Sequence, residues 1–169
     1  MTAITVNDKP VRRPARMIEG DEFLTTFTKA GWAPEDVEVV ARAFHVAHAE
    51  IEAWAAKLDR GNTTESEARF WITTVAAGAE VALLNRGKVV TPGILEATNA
   101  ELHNYIDFYE NELGELWERM EAREAQVAAP GNDPEWLLLR NRFDRLAGYL
   151  WECNQRSGVW AVTFPEAQA

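Results

Sequence analysis

The side chains best placed to hold a metal ion are His45, His48 and Glu52, which fall at i, i+3 and i+7. That spacing puts all three on one face of a helix. Two imidazoles and a carboxylate are ligands for zinc or iron. Such a site needs more ligands from a second helix, and a di-iron bundle supplies them as Glu-x-x-His pairs. No glutamate in this chain has a histidine three residues later. The three residues therefore read as solvent-edge side chains. His103, among Glu101, Asp107 and Glu110, reads as a helix-surface residue. Nucleophiles are scarce. The serines are Ser66 and Ser157, and neither sits in Gly-x-Ser-x-Gly. Cys153, the one cysteine, continues an apolar stripe three residues after Leu150. A thiol in that setting is buried, raised in pKa and unreactive. Gly87-Lys88 lacks the upstream glycine of a phosphate loop. Glu80 is the one charge in an apolar stretch and is expected on a narrow polar face. No catalytic residue and no cofactor are expected in this chain.

One acidic run invites a second enzymatic reading. Glu112, Glu115, Glu118, Glu121 and Glu124 recur every third residue. The run resembles the Glu-x-x-Glu element of helical nucleotide pyrophosphohydrolases, which hold magnesium together with a Glu-x-x-Asp element. No Glu-x-x-Asp occurs in this sequence, and an unbroken run at this spacing reads as a solvated helix face.

The elements that must position these residues are helical. At 169 residues, one domain is the default, and a chain of this length buries roughly 70% of its unfolded surface. A lone cysteine allows no internal disulfide framework. No charged start followed by an apolar stretch marks a secretory signal, and no apolar run approaches the ~20 residues that span a bilayer. A cytoplasmic protein with no membrane contact is expected. Lys9, Arg12, Arg13 and Arg16 against Asp8 make residues 1–16 carry +3, so with −10 overall the rest carries −13. A body of that charge repels phosphate backbones, which argues against nucleic acid.

Residues 1–18, with Pro10 and Pro14 and no apolar period, read as an extended basic arm. Residues 19–169 read as a single helical domain. It opens with a short helix from Asp21 to Ala30. Four long helices follow. The first begins at Ala33-Pro34, with Glu35 and Asp36 in its first turn, and reaches about Arg60 before Gly61. The second begins at Thr64 with Glu67 three residues on and ends near Arg86. The third is expected from Thr91-Pro92 as far as Ala129, roughly 55 Å. The fourth runs from Asp133-Pro134 to near Arg156. Each carries an apolar stripe at alternating spacings of three and four, for example Leu102, Ile106, Tyr109, Leu113, Leu116 and Met120. Such seams, joined by short loops, predict an all-α, antiparallel helical bundle. The acidic third helix and the arginine-bearing fourth are expected to be neighbours.

The second helix is apolar nearly all round, from Phe70 to Leu84. That makes it either the central helix or one with a face for a partner. Of seven tryptophans, Trp71, Trp117 and Trp151 lie beside the stripes, and tryptophan is favoured at interfaces. With Arg12 and Arg13 of the arm they form the expected contact set for other protein subunits, in a hetero- or homo-oligomer. Three segments carry a family resemblance. They are Leu138-Leu139-Arg140-Asn141 with Leu150-Trp151-Glu152 and Ser157 to Val162; Trp71-Ile72 through Glu80 to Leu84, Lys88 and Ile94-Leu95; and Trp117-Glu118 before a proline-bearing loop. In these the chain resembles the γ subunit of soluble methane or butane monooxygenase-type hydroxylases, with Ala129-Pro130-Gly131 where that family has Lys-Pro-Pro. The resemblance implies a helical, non-catalytic subunit whose di-iron centre belongs to another chain. Two other readings stand beside it: a small helical enzyme, pyrophosphohydrolase-like or a metal-carboxylate bundle, and a viral or regulatory protein that binds and blocks a partner.

Overall fold

A computed structural model describes residues 29–157, with the backbone of a two-residue antiparallel pairing between Thr5–Val6 and Lys9–Pro10. The rest of the arm, the short helix expected from Asp21 to Ala30 apart from its last two residues, and residues 158–169 lie outside the described residues. Within them the chain is helical. Four long helices are α1 (Pro34–Asp59), α2 (Glu65–Leu84), α3 (Asn99–Glu124) and α4 (Pro134–Ser157).

The helix starts follow local chemistry. Ala33 is extended and Pro34 occupies the first turn, where a missing N–H leaves no gap in the ladder. Glu35 and Asp36 face the positive end of α1. Thr64 caps α2 by accepting a hydrogen bond from the Glu67 amide at 3.1 Å. The reciprocal half of that expected capping box is absent, because the Glu67 carboxylate accepts from the Thr63 hydroxyl instead. The Asp133 carboxylate accepts from the Trp136 amide at the start of α4.

The start of the third helix departs from expectation by seven residues, with Thr98 rather than Thr91 as its cap. The Thr91 amide and hydroxyl both bond the Glu152 carboxylate, at 2.9 and 2.8 Å, so they are not helix-start groups. Gly93 then adopts a left-handed φ of 73° that a helix cannot continue through. Only a short 3-10 turn, Ile94–Glu96, follows. The helix begins after Thr98, which forms a complete capping box with Glu101. It ends at Glu124 rather than Ala129.

The main helix contacts run α1 to α2, α2 to α4, and α4 to α3. The middle pair is therefore α2 and α4. One apolar core lies on the α3–α4 side, with Leu113, Met120, Phe143 and Leu150 fully enclosed. A second lies between α1 and α2 and is closed by Trp151 from α4. This accounts for the all-round apolar character of α2, which faces a neighbour on each side. On α1, Ala43, Val46 and Ala55 are interior and Phe44 and Trp54 only partly so.

The centre of the α2–α4 crossing is built on two glycines. A Cβ added at Gly78 would lie 2.7 Å from the Trp151 Cβ and 3.1 Å from the Ala147 carbonyl oxygen. A Cβ added at Gly148 would lie 2.7 Å from Val81 Cγ1. The helices approach because each glycine leaves room for a side chain of the other helix, Trp151 over Gly78 and Val81 over Gly148. On the other flank, α3 and α4 are tied by Arg123, whose guanidinium grips Asp133 with two 2.8 Å hydrogen bonds. Arg142 reaches Glu112 at 3.5 Å, so the acidic third helix and the arginines of the fourth do meet.

Candidate functional site

The residues singled out from sequence are scattered. His45, His48 and Glu52 sit along α1, each partly buried. Among the described residues no three His, Cys, Asp or Glu side chains gather into a metal-holding group. His103 and Glu80 are exposed, as expected. Cys153 is fully buried, and burial, with the nearby Glu152 charge, pushes its thiol up to about 11. The acidic run on α3 is partly absorbed by structure. Glu121 accepts from Ser66 and pairs with Arg69, Glu112 pairs with Arg142, and Glu124 accepts from the Trp136 indole at 3.0 Å.

The expected tryptophan contact set turns inward. Trp117 is 6% and Trp151 3% exposed. Trp117 packs 5.8 Å from both Phe70 and Phe143. Trp151 covers Gly78 at the α2–α4 crossing. A residue beside the apolar stripe is interior when a second helix covers it, and α2 covers both, with Phe70 against Trp117 and Gly78 against Trp151. Trp71 is partly buried and stacks on Trp54, with centroids 5.9 Å apart. Arg12 and Arg13 lie outside the described residues.

The structure instead assembles a cleft that no linear motif announces. It opens between α1, α2 and α4 beside the loop that follows α2, and encloses about 210 Å³. Gly78 and Gly148 line it, together with apolar residues that include Val81 and Trp151. The loop is held by a left-handed pair, Arg86 and Gly87, with φ of 52° and 74°. Glycine is required at position 87, since a Cβ there would meet Val39 Cγ1 at 2.7 Å. Arg86 stacks its guanidinium 4.7 Å from the Trp32 ring. The far side of the loop is pinned by Glu152, whose carboxylate accepts from the Val90 amide, the Thr91 amide and the Thr91 hydroxyl.

The charge of this cleft opposes that of the whole chain. Arg42, Lys88 and Arg156 line it and are all exposed, so they stand at its mouth. Arg42 approaches Glu38 only at 3.9 Å, while Lys88 pairs with Asp36 at 2.9 Å. Deeper in, the Gln155 side-chain amide nitrogen is buried and has no hydrogen-bond partner among the described residues. A buried donor left in this state costs roughly 1–3 kcal/mol.

No family model, curated protein or solved structure matches this chain. The chemistry of the cleft therefore carries the functional reading. Sequence reasoning passed over Arg42, Gln155 and Arg156 because their partners come from different helices. One signal was present: a glycine in a helix interior costs about 1 kcal/mol against alanine, so Gly78 and Gly148 marked a place where something must come close. A second, shallower groove of about 320 Å³ lies between the start of α2 and α3, edged by Glu67, Glu118 and Glu121.

Proposed function

We propose that this chain is a non-catalytic helical subunit or adaptor of a larger protein complex, with its four helices in an antiparallel bundle. The numbering of contacts supports the antiparallel part. Glu112 meets Arg142 and Arg123 meets Asp133, so positions rise along α3 as they fall along α4. The observation that carries the docking role is the rim of the cleft. Leu84, Val39 and Val89 are 74%, 51% and 44% exposed. Val39 and Val89 line the same cleft, and Leu84 lies at the end of α2 just before its loop. Exposed apolar groups gathered around a concavity and bordered by charge are what a partner surface requires. Among the described residues no helix is long and apolar enough to cross a membrane.

The resemblance to hydroxylase γ subunits gives the specific form of this reading: the complex would be a multicomponent monooxygenase, with iron held in another chain. The test is purification of the tagged chain from its native source, with light scattering on the eluted complex. A second chain in fixed stoichiometry is expected. It should be lost in a Val39→Asp, Leu84→Asp double variant that keeps its helical circular dichroism. A chain that elutes alone as a monomer, or a complex indifferent to both substitutions, would sink the proposal.

A further inference from the structure

We propose that the α1–α2–α4 cleft binds a small amphiphilic carboxylate, a molecule with a compact apolar body and one anionic head. Three independent observations converge on that chemistry. The first is the shape and lining. A dry apolar cavity of about 150 Å³ is enough to hold benzene, so the 210 Å³ here takes a body of about eight carbons. Val81, Ala82 and Trp151 supply apolar contact to such a body, and Gly78 and Gly148 add no side chain to the lining.

The second observation is the buried Gln155 amide nitrogen. It donates to nothing among the described residues, and it lines the cleft. An N–H donor in that position is satisfied by an acceptor brought from outside. The third is the charge at the mouth. Arg42, Lys88 and Arg156 converge from α1, the loop and α4, in a chain of net charge −10. Glu152, the one carboxylate in the lining, has both oxygens engaged by Val90 and Thr91 and forms no ion pair with them. Lys88 is paired with Asp36, so Arg42 and Arg156 are the cations left to meet an anionic head. Guanidinium groups pair with carboxylates through two parallel hydrogen bonds, which distinguishes that head from a neutral hydroxyl. A cation of the same size would meet like charge. The body enters over Gly78 and Gly148, and the head remains among Arg42, Arg156 and Gln155.

This inference stands apart from the docking role. A chain that binds the carboxylate but elutes alone retains the one and loses the other. The test uses the full chain with four probes: sodium octanoate, 1-octanol, octylamine and sodium acetate. Binding is read by isothermal titration calorimetry and placed by amide chemical shifts, including the Gln155 side-chain amide. Octanoate is expected to saturate a single site, shifting Val89, Val90 and Gln155. Removing the anionic head or the apolar body should weaken binding at least about tenfold, the equivalent of ~1.4 kcal/mol. Arg42→Gln with Arg156→Gln, both on exposed positions, should cost about tenfold for octanoate and leave 1-octanol unchanged. Ala82→Leu, which fills the cleft, should abolish binding of both while the melting curve shows a folded protein. Failure of octanoate to saturate, octanol binding as tightly as octanoate, or shifts confined to residues away from the cleft would each overturn the proposal.

Discussion

At Glu152 one carboxylate takes three donors from two consecutive residues of the loop, and the Thr91 hydroxyl also reaches the Tyr149 carbonyl of α4 at 3.5 Å. Charge-assisted hydrogen bonds of this kind contribute about 1.5–3 kcal/mol each to stability when the partners are otherwise unmet. Glu152→Gln is expected to lower the unfolding free energy by roughly 2 kcal/mol, read by urea denaturation, with faster amide exchange at Val90 and Thr91. No change in either measurement would show that the loop is held by other contacts. Asp133 offers a pH-dependent counterpart. The Arg123 guanidinium and then the Trp136 amide hold its carboxyl down to about 2, from an ordinary 3.8. A carboxylate depressed in the folded state stabilises fully above its unfolded pKa and loses that contribution as pH falls through the folded one. Asp133→Asn should therefore be less stable than the parent near neutrality, with the gap closing between about pH 4 and about pH 2. A gap independent of pH would show that the charge does not matter. The buried thiol of Cys153, pushed up to about 11, should resist iodoacetamide in the native state near pH 8 and react on unfolding, since the thiolate is the nucleophile.

The helices test the packing argument most directly. Gly78 and Gly114 both lie inside helices, and only one is constrained. A Cβ at Gly78 meets Trp151 at 2.7 Å, whereas nothing lies within 4 Å of one at Gly114. Gly114→Ala should gain about 0.5–1 kcal/mol from helix propensity. Gly78→Ala gains the same and loses more, because separating α2 from α4 opens packed surface; a net loss of about 1–2 kcal/mol is expected. Thermal unfolding of both variants checks the pair, and equal behaviour would contradict the close approach. The helices also show what local sequence could tell. On α3 the stripe Leu102, Ile106, Tyr109, Leu113, Leu116 and Met120 is buried throughout, because this helix faces a neighbour mainly on one side and its period is clean. On α2 no single stripe stands out, because two neighbours bury two faces; Ile72 and Val75 are buried, while Leu84 is exposed. The start of α3 was misplaced because Thr91-Pro92 is a valid cap pattern whose donors are claimed by Glu152, 61 residues away for Thr91. The cap that forms, Thr98 with Glu101, is an equally local pattern.

At the scale of the molecule, the two larger apolar cores among the described residues flank a central helix pair, and the candidate site lies where three helices meet. The sequence by itself determined the helical class, four long amphipathic segments and their approximate ends, because periodicity, caps and turn glycines act over a few residues. It determined the buried thiol, the exposed Glu80 and the lack of a Glu-x-x-His pair for the same reason. Only the tertiary structure decided that Trp117 and Trp151 face inward, that α2 and α4 form the middle, and that Arg42, Lys88, Gln155 and Arg156 share one cleft. Those outcomes depend on which faces of which helices meet. Contacts between residues 39 and 156 are set by the packing of all the elements between them, and no short pattern encodes that choice.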